Sequence, residues 1–271
     1  MKGPRELLEH EDHWVTRMGK WFPGERTVFR GRDLHRELGT MRWLSLYLYG
    51  ITGREFTDPQ LKLLTAMLVY TSYPDPRLWN NRVSALAGSV RSTGALALSS
   101  AMAVSEATVY GCRAELRAMD FLRRTRSSVE IGTPLDSLVE RELTRFRTIP
   151  GFGRPVVRGD ERIPHLLGLA RDLRLDGGGY LALALDVERC LKRARRRLQM
   201  NYAALAAALC ADLGFDIREY YLSAFPAFLA GMAPCWLEAT DSPEGGFLPL
   251  ACERLAYRGP GRRGWDEPQA G

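Results

Sequence analysis

The sequence is poor in the residues that most often carry chemistry near neutral pH. Its 271 residues include four histidines, His10, His13, His35 and His165. His10 and His13 stand three apart with carboxylates beside them, but no third ligand converges on the pair, so they read as surface residues and no metal site is expected. The five cysteines, Cys112, Cys190, Cys210, Cys235 and Cys252, are odd in number and scattered without CxxC spacing. That pattern argues against a disulfide framework and a zinc ribbon and suits free thiols in a reducing compartment. Long apolar runs are missing as well. The longest, Ala203 to Ala211, falls far short of the roughly 20 residues a membrane helix needs. The opening Met1-Lys2-Gly3-Pro4-Arg5-Glu6 lacks the basic, apolar and small-residue order of a leader. The expectation is a cytoplasmic chain with no membrane association.

Lysine is scarce too, so the net charge of +6 is carried almost wholly by arginine. Much of it lies in Lys192-Arg193-Ala194-Arg195-Arg196-Arg197. Such a run is either a phosphate-binding patch or a solvated helix end, where cations suit the dipole. Without interleaved aromatics or a groove-reading motif, sequence-specific nucleic-acid binding is not expected. An apolar content of 45% and a charged content of 26% are those of a soluble globular protein, long enough to bury a sizeable core.

Periodicity along the chain is mostly helical. Glu6 to Trp14 reads as a short helix, Trp21 to Glu25 as a Pro-Gly turn, and Thr27 to Arg30 as a short strand or extended entry. From Asp33 the pattern turns helical, with Leu34, Leu38, Met41, Leu44, Leu46 and Leu48 ahead of Gly50, and Asp58-Pro59 opens a further helix. Tyr73 to Pro76 is a turn. Asn81 to Tyr110 is apolar and rich in small residues, which suits a buried helix pair or a subunit interface. Leu135 to Phe146 is an amphipathic helix, and another carries Leu166, Leu167, Leu169 and Leu173. Helical stretches follow at Tyr180 to Leu198, Asn201 to Leu213 and Asp216 to Glu238, with Gly177-Gly178-Gly179 as a hinge or tight turn. The tail after Tyr257 is expected to be loose or to reach onto a neighbour. The fold class expected is all-α.

One segment stands out: Gly151-Phe152-Gly153-Arg154-Pro155 followed by Asp160-Glu161-Arg162. It resembles the GFGH turn and following DPR of the citrate synthase superfamily. Five further segments fall in the family's order. Arg30 to Leu34 resembles its RGYDI-type segment, Phe56 to Leu68 the next helix, and Asn81 to Ala87 its xARVxAS helix. Gly231 to Glu238 resembles the GWxAHxxE stretch, and Arg254 to Pro260 the closing RxRYxGP. The compact length is nearer the citryl-CoA lyase branch than full-length citrate synthases. The resemblance implies a two-domain helical dimer, the large domain from 1–112 and 200–271 and the small domain from 113–199.

The resemblance also implies a set of sites. The family needs a carboxylate to take the α-proton of an acyl-CoA and two histidines to bind the enol and polarise the acceptor. In those places this chain has Asn201, Tyr110 (followed by Gly111 and Cys112) and Arg154. Arginine stays protonated, tyrosine has a reference pKa of about 10 and asparagine has no acid–base function, so the trio contains no base for pH 7. The family's substrate histidine falls near Ser72 or Tyr73, one substrate arginine becomes Phe228, and Arg162 and Arg254 remain, the latter in the place of the arginine lent across the dimer. Gly151 and Gly153 keep the turn that meets the coenzyme. His165 lies too far along its helix to replace the lost imidazoles.

Three functions follow as alternatives. A diverged acyl-CoA-dependent transferase or lyase would bind a coenzyme A thioester as co-substrate, with no tightly bound cofactor. Arg154 and Arg162 would clamp an anion, Tyr110 and Asn201 would bond a carbonyl or enolate, and Cys112, with Arg113 lowering its pKa, or Asp160 or Glu161 would supply new chemistry. A non-catalytic subunit would instead pair with an active paralogue, as a heterodimer rather than a homodimer. Nucleic-acid binding through the 192–197 run is the weakest of the three.

Overall fold

The computed structural model describes residues 5–11, 15–107, 111–154, 159–247 and 251–261. Among them are eleven α-helices, one three-stranded sheet and a short 3-10 turn at Cys252–Arg254. The fold is all-α in class, as the periodicity predicts.

After a five-residue helix α1 (Arg5–Glu9), strands β1 (Gly19–Phe22), β2 (Arg26–Phe29) and β3 (Arg32–Asp33) form an antiparallel meander in sequence order. The expected turn at Pro23-Gly24 joins β1 to β2, and the expected helix to Trp14 is shorter, with residues 12–14 outside the described set. The helical pattern predicted from Asp33 is not realised until Trp43. Asp33 diverts the chain by accepting the N–H groups of His35 and Arg36, while Glu37 reaches back to the Asp33 N–H. Local side-chain bonds of this kind compete with a helix. Helix α2 (Trp43–Thr52) then runs through Gly50 and stops at Gly53, φ +71°. Gly50 is a contact point, since a Cβ there would lie 2.7 Å from the Phe29 ring.

Helix α3 (Asp58–Thr71) starts on a reciprocal cap, in which Thr57 accepts the Gln60 N–H and the Gln60 side chain accepts the Thr57 N–H. The small-residue stretch forms a pair, α4 (Trp79–Ser89) and α5 (Gly94–Val104), packed on α11 (Ile217–Asp241). At Gly88 a Cβ would stand 2.5 Å from the Trp236 carbonyl, so the small residue is what lets α4 and α11 approach. Helix α6 (Cys112–Glu130) is not anticipated from the sequence. Its arginine-rich outer face obscures a buried stripe of Cys112, Glu115, Ala118, Met119, Leu122 and Thr125. Helices α7 (Leu135–Phe146) and α8 (Arg162–Asp172) follow, α7 with the bounds predicted.

Helix α9 (Gly179–Arg193) ends five residues before Leu198, the end its pattern predicts. The chain reverses at Arg195, φ +54°, where the Arg196 N–H meets the Leu191 carbonyl. The basic run is therefore the end of a helix and the exposed residues beyond it. Arg91, Arg147 and Arg174 likewise adopt positive φ just after helices, where glycine is usual. Arg91 uses the position: its guanidinium donates to the carbonyls of Ala239, Thr240 and Ser242 and caps α11.

Helix α10 (Tyr202–Asp212) is the centre of the main core. Nine of its residues are buried, and α6, α8 and α9 surround it. Such an all-round apolar helix fits only an interior. At 25 residues, α11 is long and apolar enough to cross a membrane, yet it packs here against α2, α3, α4, α5 and α6. Pro226 within it removes the N–H that would bond the Leu222 carbonyl, and the Tyr47 hydroxyl donates to that carbonyl at 2.7 Å instead.

Truncating Leu205, fully buried on α10, is expected to cost ~2–5 kcal/mol. Leu96→Ala, at a residue 66% exposed, should stay within ~0.5 kcal/mol. Denaturant midpoints of the two variants at unchanged slope check both values.

Candidate active site

The site is built where the Gly151 turn docks on the start of α10. Ile149 pairs with Phe152 and Phe152 with Met200, both as isolated bridges of buried residues. Gly151 has φ +86°, and a Cβ there would stand 2.5 Å from that of Ala204, so conformation and space both demand glycine. The Gly153 N–H donates to the Gln199 carbonyl at 2.6 Å and the Asn201 N–H to the Gly151 carbonyl at 2.9 Å. Asn201 completes the joint. Its Nδ2 donates to the Gly153 carbonyl at 2.7 Å, and its Oδ1 caps α10 by accepting the Ala203 N–H at 2.9 Å.

The following segment carries two ion pairs. Asp160 is buried and grips the Arg162 fork through Nε and Nη2, each at 2.8 Å, while also accepting the Tyr202 N–H at 2.8 Å. Burial opposes the charge on Asp160, but the fork and the N–H groups outweigh it and hold its pKa below the usual carboxylate range. The Arg162 guanidinium lies over the Tyr202 ring at 4.3 Å and faces the Tyr73 ring at 5.6 Å. Arg154 donates to Glu161 at 2.6 Å and to the Gly159 carbonyl at 3.1 Å. The Tyr73 hydroxyl donates to the other Glu161 oxygen at 2.8 Å. The Glu161 pKa is held down by its own backbone N–H, then by Arg154 and Tyr73. Asn81 fixes the Tyr73 turn by donating to the carbonyls of Tyr73 and Asp75.

Gly151, Gly153, Arg154, Arg162, Asn201 and Tyr73 are thus brought together. Ser72 is adjacent in sequence at the end of α3, with its hydroxyl donating to the Leu68 carbonyl. Arg254 occupies the exposed 3-10 turn, and among the described residues no hydrogen bond or ion pair joins it to the cluster. Tyr110 lies outside the described residues. Cys112 does not have the environment expected of a nucleophile. It is 1% exposed, and burial, with Glu115 and Glu106 nearby, pushes its thiol pKa up rather than down, while Arg113 is exposed.

Next to the cluster, on the far side of Tyr202, is a feature the sequence reading missed. A cavity of about 30 Å³, enough for a water-sized group or two, is lined by Glu115, Tyr202, Cys210, Tyr220 and Phe228, with Thr71 and Ser223 in an otherwise aliphatic wall. Glu115 is buried on α6, and burial pushes its carboxyl up to about 7 against the pull of Arg162. The Tyr220 hydroxyl is buried without a hydrogen-bond partner. The signal in the sequence was an acidic residue three past Cys112 and three before Ala118, on the apolar stripe of α6. Beside the turn lies an open groove of about 500 Å³ between Glu188, Arg189, Lys192, Arg196, Arg197 and Gln199. Among the described residues no three His, Cys, Asp or Glu side chains are grouped to hold a metal.

Neither a family model nor a curated protein matches the sequence. Solved structures do match. Citryl-CoA lyase from Hydrogenobacter thermophilus superposes with a TM-score of 0.82 at 21% identity, over 94% of this chain and 98% of that one. The chain has the citrate synthase fold. ATP citrate lyase from Methanothrix soehngenii, solved with citrate and coenzyme A, gives 0.73 at 18% identity over 96% of this chain and 45% of that one. Citrate synthase from Thermoplasma acidophilum, solved with carboxymethyl coenzyme A and oxaloacetate, gives 0.62 at 17% over 84% and 60%. The compact version of the citrate synthase fold, as in the citryl-CoA lyase, is the one the chain's length predicts.

Two effects on stability are expected. Asp160→Asn leaves Arg162 without its partner and should cost ~3–5 kcal/mol. Glu115 acts oppositely to a paired carboxylate. Between pH 4.5 and about 7 the unfolded chain releases this proton while the folded protein keeps it, so stability falls as pH rises through that window. Glu115→Gln should therefore gain on the native protein by ~3 kcal/mol at pH 8 and match it near pH 4, read from denaturant curves at the two pH values.

Proposed function

We propose that this protein binds a short coenzyme A thioester and acts on it as a diverged lyase or transferase, not as a citrate synthase. The observation that carries the reading is the glycine turn held rigidly against α10 with a basic groove at its side. Arg189, Lys192, Arg196 and Arg197 line the groove, and its floor includes Gln199, whose carbonyl accepts the Gly153 N–H. Guanidinium groups there suit the phosphates of a nucleotide tail, while the turn and Tyr73 face the acyl end. Solved proteins of this fold, the ATP citrate lyase and the citrate synthase named above, were captured with coenzyme A or an analogue of it. In this reading residues 113–199 form the smaller of two domains, and Arg254 is lent to the site of a second copy or of a paralogue.

Citrate chemistry itself is disfavoured by the site's charges. Arg162 is engaged by Asp160, Arg154 by Glu161, and the place of a further substrate arginine is taken by Phe228. A tricarboxylate would meet cations already neutralised. The same fact supports a second reading, a non-catalytic subunit, because Arg154, Arg162 and Asn201 are all held by the protein's own groups.

Calorimetric titration of CoA and acetyl-CoA into the purified protein tests the reading. Micromolar binding is expected, weakened about tenfold by the Arg196→Ala/Arg197→Ala pair and further by added salt. Acetyl-CoA with oxaloacetate should release no free CoA above background. An absence of binding to the protein alone would favour the subunit reading, in which a second chain co-purifies.

A further inference from the structure

The two carboxylates ahead of α8 hold their arginines on different terms. The Asp160 side chain has no exposed surface and is bound from several directions, by Nε and Nη2 of Arg162 and by the N–H groups of Arg162 and Tyr202. It is built into the register of the chain. Glu161, next in sequence, has a side chain 59% exposed, and the arginine it pairs with is exposed to only 25%. In this second pair the carboxylate is the outer partner and the cation the inner one.

Glu161 receives what a bound carboxylate would receive. Arg154 Nη1 donates to its Oε2 at 2.6 Å and the Tyr73 hydroxyl to its Oε1 at 2.8 Å, so each oxygen has a donor of its own. The donors come from separate parts of the chain, Tyr73 from the turn after α3 and Arg154 from the glycine turn. Each is also held by groups other than Glu161. Asn81 fixes the Tyr73 turn through two carbonyls, Arg162 faces the Tyr73 ring at 5.6 Å, and Arg154 donates to the Gly159 carbonyl at 3.1 Å. The donor pair therefore stays in place when the Glu161 side chain turns outward. An ion pair this exposed adds little net stability, so exchanging one carboxylate for another costs the fold little.

Resting on the acyl-thioester reading for what is bound alongside, we infer that Glu161 is a specificity-determining residue, a tethered carboxylate that occupies the Arg154 and Tyr73 donors and keeps small free carboxylates out of them. An external carboxylate has to displace a group that is part of the chain, with an effective concentration on the order of millimolar or above. A dilute anion loses that competition. The neighbouring Arg162 offers no alternative, because its Nε and Nη2 are both spent on Asp160. The effect is one of competition alone and involves no covalent step.

Calorimetric titration of malonate into the full chain and its variants is the test. The native protein should bind malonate weakly, Glu161→Ala about tenfold more tightly and the isosteric Glu161→Gln about threefold more tightly. Glu130→Ala controls for net charge, since Glu130 is 60% exposed and pairs with Arg126 elsewhere on the surface. It should bind malonate as the native protein does. Adding Arg154→Ala to Glu161→Ala should abolish the gain, and adding Tyr73→Phe should reduce it. Glu161→Gln keeps the shape of the side chain and carries the same comparison if the alanine variant does not fold. The role of Glu161 is wrong if its variants gain no more than Glu130→Ala, or if the gain survives Arg154→Ala. Acetyl-CoA titrated into the same proteins separates the two readings. Malonate behaving as expected without acetyl-CoA binding leaves the role of Glu161 standing and removes the thioester reading; acetyl-CoA binding without a malonate gain does the reverse.

Discussion

One carboxylate organises the middle of this molecule. Asp160 accepts the Arg162 fork and the first N–H of α10 at once, so the start of α8 and the start of α10 are fixed to the same two oxygens. The Gly151 turn, pinned to α10 by Asn201, is thereby placed relative to α8. Tyr202, the residue whose N–H is taken, stacks under the same guanidinium and reaches across to α3. A buried ion pair of this kind adds less to stability than it removes when broken, but it fixes register. Here it fixes the register of three elements around one turn.

The arginine content acquires a purpose in this light. Several arginines end helices, bridge carboxylates or cover rings inside the structure: Arg54 reaches both Glu219 and the Leu213 carbonyl, Arg123 the Phe215 carbonyl, and Arg91 three carbonyls of α11. A planar fork with several donors does this where a lysine cannot. Other arginines are exposed, on the outer face of α6 and in the run at the end of α9, and that run borders the glycine turn. Net charge alone could not distinguish arginine used as internal scaffold from arginine presented to a ligand.

Much of the architecture was readable from residues. Helix α7 has the predicted bounds because its amphipathic pattern is followed by a chain reversal, and α3 opens where Asp58-Pro59 announces it, on a cap made by Thr57 and Gln60. The glycine turn was readable because φ near +90° with no room for a Cβ admits one residue type. What was hidden had physical causes. The segment from Asp33 to Arg42 has helical spacing but loses to hydrogen bonds made by Asp33 itself, and α6 is masked by its own charged face. Within the site, the family resemblance pointed to Arg154, Arg162 and Asn201 but could not show that their donors are spent inside the protein. Nor could it bring Glu115 and Tyr220, more than a hundred residues apart, into one cavity.

Two prolines, Pro226 and Pro234, interrupt the hydrogen bonding of α11, and the first has a mechanical side. Ser223, Ala224, Ala227 and Phe228 flank Pro226 and form one wall of the Glu115 cavity. That wall belongs to the one stretch of α11 where the Leu222 carbonyl is tied to α2 through Tyr47 rather than to its own helix. A change of side chain at position 47 would therefore be felt at that wall through the backbone of α11, although Tyr47 does not line the cavity.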